Sequence, residues 1–449
     1  MSKKKKKQKR PQAKTPYQVR LSQCMIVKNE EKHIRRALEW AKPVAYEQIV
    51  IDTGSTDKTV EIAEASGAKV LHFKWIDDFS AAKNFALEQA SGNWIAFLDA
   101  DEYMSAEDAN KMMEKLNKLG QFTGPEKSVC ILRTPMLNVD DKGTATDVYL
   151  HSRIYRNVKE IRYHGRIHEH ISEYGKMEVA DDISIIHTGY AESEHKEKNK
   201  TERNITLLRK ELENDPDSIL IKAYLADSLR SKYILENYSN KKDEEEVATL
   251  FKEVIENNEK IPDFLKKKAY MYHIGKIWGN PDETEQCEKL CKAGHEQFPD
   301  DLDIGYYYSF MLNSSGKYET AWEILKKLES KLTTGKGHIT GTSAWVQSEP
   351  KLIFGQLLMA AQGLKDTENT INYATVLLSA DKSQQEILTP YIHTLISNGI
   401  SESEVYNLLS QMYDTKSPSD LLFIARAAKE CGAIEFTRFI VSEAEKLMG

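Results

Sequence analysis

Between Leu21 and Leu98 short apolar runs alternate with amphipathic stretches, and the two periods predict the elements. Leu21 opens a first strand that breaks at Lys28-Asn29-Glu30, Gln48–Asp52 is a second, Ala68–Phe73 a third, and Asn93–Leu98 a fourth, apolar throughout after Asn93. Helical spacing fills the gaps: a stretch ending at Trp40, then Lys58–Ser66 with Val60, Ile62 and Ala63, then Ala81–Ala90. Each strand runs out into polar residues. This order predicts an α/β domain, a mostly parallel sheet with helices on both faces and a ligand cleft along its carboxyl edge.

Further on, Ala106–Leu119 reads as a helix, followed by a polar link with Gly120, Gly124 and Pro125. Strand-like segments return at Ser128–Arg133, Asp147–Arg156 and Ile183–His187. From Ser193 the composition turns to Lys, Glu and Asn, and strand signals stop. Residues 196–214 read as a charged helix, and Asp215-Pro216-Asp217 begins the next unit. Tyr224–Leu229, and Tyr308–Leu312 followed by Gly316–Ala321, resemble degenerate tetratricopeptide helices, with the period broken by a Lys- and Glu-rich insertion near Asn240. Stacked helix pairs form a concave surface suited to a peptide or to a second subunit, which makes a homodimer through this region one expectation and a plain packing role the other. The expected organisation is a basic leader (1–19), a sheet domain (20–192), a helical domain (193–335) and a C-terminal helical region (336–449), with a polar break at Gly335–Ser348.

Charge changes the picture at one place. The formal net charge is −7, yet residues 1–10 carry seven Lys and Arg and no acid, so the remainder sums to −7 less +7, or −14. An acidic body argues against nucleic-acid binding, and the Lys-rich start reads as a solvated leader. No apolar run reaches the roughly eighteen residues of a membrane span, and no apolar segment follows the basic start as in a secretory signal. The expectation is a cytoplasmic protein. The five cysteines are scattered; Cys287 and Cys291 share a helix face, but no further pair completes a zinc set, so buried thiols are expected.

Candidate chemistry gathers where the fourth strand ends, at Asp99-Ala100-Asp101-Glu102. Asp99 and Asp101 project to one side of an extended chain, and small Ala100 lets a ligand approach. Two close carboxylates repel unless a cation joins them, and hard oxygen ligands favour Mg²⁺ or Mn²⁺, which would hold a diphosphate. Elsewhere on the edge, Asn29 and Glu30 follow the first strand, and Asp52 offers an acceptor to a base or ribose. Gly54-Ser55-Thr56 offers N–H groups near a helix start, with Ser55 or Thr56 as its cap, while Lys83 and Asn84 open a nearby helix. Neither a G-x-G-x-x-G nor a G-x-x-x-x-G-K-[ST] is present, which weakens dinucleotide and Walker-type readings.

The order NEE (Asn29–Glu31), DTGSTDKT (Asp52–Thr59), WIDDFSAAKNFAL (Trp75–Leu87) and WIAFLDADE (Trp94–Glu102) resembles family 2 glycosyltransferases with the GT-A fold. Among them it is most similar to bacterial members with a helical repeat tail, including sublancin-type peptide S-glycosyltransferases. The resemblance covers about Leu21 to Tyr190. It implies a UDP-sugar donor, a divalent metal on Asp99 and Asp101, and transfer with inversion. The candidate nucleotide-sugar contacts are then Val27, Asn29, Glu30, Asp52, Gly54, Ser55, Lys83, Asn84, Asp99 and Ala100.

Tyr163–His170 (YHGRIHEH) crowds three histidines and a glutamate into seven residues of a chain with 12 histidines. Read as a strand, it puts His168 and His170 on one face and Glu169 on the other. Glu169 or the neighbouring His168 is the candidate general base, and the family's His-Glu pair in this region favours Glu169. His187, at the end of a later strand, is the candidate remote metal or diphosphate contact. The leading expectation is a metal-dependent enzyme that moves a hexose to a Cys or Ser side chain of a bacteriocin-type peptide. A cell-envelope glycan or lipid-linked sugar as acceptor, and a noncatalytic helical scaffold, are the alternatives.

Overall fold

The computed structural model describes residues 17–140, 143–188, 194–334 and 345–448. Residues 1–16 of the expected leader, Gly189 and Tyr190, and residues 335–344 of the expected polar break lie outside them. The chain divides into two compact units at Leu250 and Phe251.

In the first unit β1 (Leu21–Val27), α1 (Ile34–Glu39), β2 (Glu47–Asp52), α2 (Thr59–Ala65), β3 (Lys69–His72), α3 (Phe79–Gln89) and β4 (Trp94–Phe97) succeed one another. Their strands lie parallel in the order β3-β2-β1-β4, as the alternation predicts. Ile34, Ala37 and Leu38 of α1 and Ala63 of α2 cover Met25, Val27 and Val50. Ala86 and Leu87 of α3 cover Cys24, Ile49, Ile51, Ile95 and Phe97 on the opposite face. The split follows from handedness: right-handed crossovers that step outward from β1 to β3 use one face, and the crossover returning past β1 to β4 must use the other. The reversal between β1 and β4 opens a crevice at their carboxyl ends, where Val27 and Leu98 give way to the candidate loops.

The other half continues with β5 (Glu102–Tyr103), α4 (Ala106–Leu119), β6 (Val129–Val139), β7 (Ala145–Arg156), β8 (Tyr163–His164), β9 (His170–Ile171), β10 (Lys176–Val179) and β11 (Ile185–His187). β7 runs antiparallel to β4 and to β6, while β10 and β11 both run parallel to β6, and β11 closes antiparallel on β5. Ser105 caps α4 by accepting the Asp108 N–H at 3.0 Å, and Gly120, at φ 66°, ends it. Its Ala109, Met112 and Leu116 pack with Leu21, Trp94, Ala96 and Leu98. Arg156 is buried with its guanidinium 4.4 Å from the Trp94 ring, and it donates to the Val129 and Gly120 carbonyls at 2.8 and 2.9 Å.

Tyr163–His170 is not one strand. β8 and β9 pair antiparallel to each other, and the chain reverses through Gly165 at φ 89° and His168 at φ 51°. Glycine takes that conformation freely; His168 does not. Alternation of side chains therefore does not decide where Glu169 points. The unit ends with α5 (Glu194–Asn214) and α6 (Ile219–Leu235), and α7 (Lys241–Glu256) crosses the unit boundary.

The second unit is all-helical among the described residues, running from α8 (Asp263–Ile277) to the last helix, Ile434–Met448. Neighbours in sequence pack on each other around one core extending from Leu302 to Ala444 and a smaller one around Tyr270, Ile274, Cys287, Cys291 and Ile304. Tyr308–Leu312 lies in the helix Leu302–Ser314 and is joined through Gly316 (φ 73°) to the helix Tyr318–Thr334, the helical hairpin that the tetratricopeptide pattern predicts. No helix of the described residues is long and apolar enough to cross a membrane.

Gly92 joins the crossover to β4, and a Cβ there would stand 2.4 Å from the Arg20 carbonyl oxygen and 2.5 Å from Ser22 Oγ. Its N–H also donates to Ser22 Oγ at 2.9 Å. Gly92→Ala is therefore expected to cost about 1–3 kcal/mol by overpacking. A urea titration of the variant checks this, the expected result being an earlier midpoint at unchanged slope.

Candidate active site

Two loops frame one side of the crevice. In 52–59, Asp52 turns its carboxylate on its own backbone, accepting the Gly54 and Ser55 N–H groups at 3.2 and 3.0 Å, and His72 Nδ1 approaches it at 3.2 Å. Burial pushes the Asp52 carboxyl up, but the Ser55 hydrogen bonds and His72 outweigh it and hold it below the usual range. Loop 28–31 is laced to this one. Asn29, at φ 59°, donates its N–H to Ser55 Oγ and accepts the Thr56 N–H, and the Glu30 N–H donates to Thr59 Oγ1 at 2.7 Å. The expected cap is corrected: α2 begins after Lys58, and Asp57, not Ser55 or Thr56, accepts the Thr59 N–H at 3.0 Å. Ser55 and Thr56, three and two residues before the Lys58 cap position, are engaged with Asn29. Asp52 likewise takes the Gly54 and Ser55 N–H groups that were expected to face a phosphate.

The centre of the crevice is a buried charge cluster. Lys83, on α3, is 2% exposed and lies between two acids, 3.5 Å from Asp99 Oδ1 and 2.5 Å from Glu169 Oε1. The rings of Phe97 and Tyr163 flank it at 5.3 and 5.2 Å. Burial disfavours the ammonium, but Asp99 and Glu169 outweigh it and hold its pKa above the usual lysine value. Asn84, the next residue, points both ends of its amide at the Tyr163 backbone, donating to the carbonyl and accepting the N–H at 2.9 Å each. It is the clip that holds β8 on α3.

Arg153, on β7, is the residue that the sequence reading missed. It donates to Asp99 Oδ2 at 2.7 Å and to Glu102. Burial raises the Asp99 carboxyl, but Arg153 and Lys83 more than reverse this and hold it well below the ordinary carboxylate value. Glu102, 2% exposed, is pushed up by its burial, and it accepts the Asp99 N–H at 3.0 Å.

Asp101 takes a different partner. Because β11 pairs with β5 through His187 and Glu102, His187 arrives beside the acid turn, with Nε2 3.2 Å from Asp101 Oδ2. Thr188 fixes the turn from the other side, its N–H and hydroxyl both donating to the Asp101 carbonyl at 3.1 Å, and Arg36 donates to Thr188 Oγ1. His187 Nδ1 faces Asn138 Oδ1 at 2.7 Å. As the amide is set, Nδ1 carries the proton, and Nε2 meets the carboxylate through a second proton or through a cation. Burial lowers the His187 pKa, but Asp101 reverses this and raises it. Asp99 and Asp101 thus share no partner: the first is held by cations of the protein, the second by an imidazole.

Four carboxylates (Asp99, Asp101, Glu102 and Glu169) face two permanent cations (Lys83 and Arg153). Carboxylates outnumber these cations, and Asp101 with His187 offers the oxygen and nitrogen donors that a divalent ion takes. Among the described residues no three His, Cys, Asp or Glu side chains converge on one point, so the protein offers such an ion two ligands.

Of the histidines in the β8–β9 hairpin, His164 Nε2 lies 3.0 Å from Ser172 Oγ, and its ring is 5.9 Å from that of His170. His168 instead stacks flat on Tyr224 of α6, the ring centroids 4.0 Å apart and the planes 6° from parallel. Of the hairpin's His and Glu residues, Glu169 is the one paired with Lys83.

Residues 22–125 match the model of glycosyl transferase family 2. A TPR repeat-containing protein of Synechococcus elongatus is 37% identical over 153 residues, 34% of this chain and 36% of that protein. The glycosyltransferase SunS of Bacillus subtilis is 31% identical over 199 residues, 43% of this chain and 45% of SunS. The matched part is thus less than half the length of either relative. Among solved structures, S. aureus TarS in complex with UDP-GlcNAc overlays 57% of this chain and 87% of that one at 17% identity, with a TM-score of 0.36. The stretch 22–125 that is similar to glycosyltransferase family 2 lies within the sheet domain, which tetratricopeptide-like helices continue.

Proposed function

We propose that the protein is an inverting, metal-dependent glycosyltransferase that moves a hexose from a UDP-sugar to a Cys or Ser side chain of a peptide. The single observation that carries this is Lys83 holding Asp99 of the acid turn and Glu169 of the hairpin in one buried cluster. It unites a donor-side and an acceptor-side carboxylate at the carboxyl edge of a family 2 sheet.

Asp101 and His187 are the residues that would hold a divalent ion, with Asp99 adjoining. When bound, the ion supplies positive charge to the diphosphate that leaves. Asp52 and the laced loops 28–31 and 52–59 form the wall for the nucleoside, with Val27 beneath them and Ala100 leaving room beside the acid turn. Lys83 and Arg153 keep cationic charge next to the place where negative charge develops. On the opposite side Glu169 accepts the proton of the acceptor thiol or hydroxyl. The sulfur or oxygen forms a bond to the anomeric carbon, the bond from that carbon to the diphosphate oxygen breaks, and its electron pair leaves with UDP. One displacement inverts the centre. A thiol, with a reference pKa of about 8.5, asks less of that base than a hydroxyl does.

The resemblance of the first half to sublancin-type peptide enzymes, and the helical continuation, support a peptide acceptor over a glycan. Transfer is tested by incubating the protein with a panel of UDP-sugars and a synthetic peptide bearing one Cys and one Ser, and following peptide mass. Asp101→Ala is expected to remove Mn²⁺-dependent UDP binding and to lower transfer by about 10³-fold or more. Full transfer by this variant in excess EDTA would reject the metal. Glu169→Gln is expected to lower kcat by about 10²–10⁴-fold while leaving the affinity for UDP within a few-fold.

A further inference from the structure

We propose that Tyr224, on the second helix after the sheet domain, is a positioning residue for Glu169. This rests on the reading of Glu169 as the base that receives the acceptor's proton.

The hairpin turn 165–169 has no regular structure of its own to aim a side chain, and its shape is imposed by neighbours. From α3, Ser80 Oγ donates to the Gly165 carbonyl at 2.5 Å and the Phe79 N–H donates to the Arg166 carbonyl at 2.9 Å. From α5, Glu211 Oε1 accepts the Arg166 N–H at 3.2 Å. These bonds end at Arg166. The next feature before Glu169 is His168, whose backbone is in the left-handed region at φ 51°, a conformation that costs a non-glycine residue energy and that neighbouring contacts must offset. The flat stack of its ring on Tyr224, centroids 4.0 Å apart, is a contact that holds it there.

Because His168 immediately precedes Glu169, its φ and ψ fix the direction in which Glu169 leaves the turn. Relaxing that residue toward an ordinary conformation would swing the carboxylate away from Lys83, 2.5 Å away in this structure. Tyr224 acts through the ring of His168 and needs no contact with the reacting atoms. Its surroundings fit a buttress: burial first, and then Asp227 and Glu169, push its phenol up to about 12, so it stays neutral while Glu169 works nearby. The same view gives His168 a packing role, not a proton-transfer role.

The test uses the full chain with the best donor from the UDP-sugar panel and the Cys/Ser peptide, with release of UDP as the readout. Tyr224→Ala is expected to lower kcat by about ten- to a hundredfold, the scale of a misplaced catalytic group, with KM for the donor and the affinity for UDP within twofold. Tyr224→Phe, which keeps the ring, is expected to stay within about threefold of the parent. A kcat for Tyr224→Ala equal to the parent's, or a loss by Tyr224→Phe as deep as by Tyr224→Ala, would overturn the proposal. A change in donor KM as large as that in kcat would do the same, since it would mark a general loss of structure. Glu169→Gln is measured alongside. If it turns over normally, the base assignment fails by itself; if it is dead while Tyr224→Ala is not, only the positioning role fails.

Discussion

A lysine ammonium held 2% exposed inside a protein is tolerable only when acids meet it there, and this constraint organises the sheet domain. Lys83 sits on α3, Asp99 follows β4, and Glu169 belongs to the hairpin more than sixty residues later in the chain. Each comes from a different element, so the three elements must reach the same point for the cluster to close. The supporting bonds serve that end. Asn84 fastens β8 to the helix of Lys83, Arg153 braces Asp99 from β7, and Glu102 ties the acid turn back on itself through the Asp99 N–H. Removing one partner would leave the others as uncompensated buried charges, which is the costly way to break such a group.

Much of this was legible in the chain because it is local. The four parallel strands, α4 at Ala106–Leu119, and the edge position of Asp52, Lys83 and Asp99 follow from period and from where polar residues interrupt it. What escaped depends on partners distant in sequence. Arg153 lies in a strand-like run with nothing local to distinguish it from a solvated arginine, and only the antiparallel placement of β7 beside β4 brings it to Asp99. β5 is two residues long and exists because β11 pairs with it. The YHGRIHEH stretch read as a strand because its side chains alternate, yet Gly165 was the signal for a reversal, since glycine admits the positive φ that a turn needs. Ser55 looked like a cap on composition alone; Asn29, from another loop, competes for it.

The separation of Asp99 from Asp101 bears on how the acid turn works. In an extended chain the two would point together, but the turn after β4 sends one to Arg153 and Lys83 and the other to His187. A carboxylate already satisfied by two fixed cations has little left to give a metal, whereas one facing an imidazole nitrogen at 3.2 Å has a partner that can itself become a ligand. His187 reaches that place through β-pairing, with Asn138 fixing its ring from behind and Thr188 fixing the Asp101 backbone. The two acids of the motif thereby have distinct surroundings: Asp99 meets two cations of the protein and Asp101 an imidazole.

Helices α5 and α6 of the first unit pack against the hairpin turn that carries Glu169. Glu211 and Tyr224 come from these helices, and they grip the turn that carries Glu169. A sheet edge alone supplies stiff positions for groups at strand ends, such as Asp52 and Asp99, but a hairpin turn lying beyond the edge has to be held from outside. The chain solves this with a helical pair directly following the last strand. The compact unit that holds residues 22–125 thus includes these helices as well as the sheet. The direction in which Glu169 leaves the turn therefore depends on side chains of the first helical hairpin as well as on the sheet.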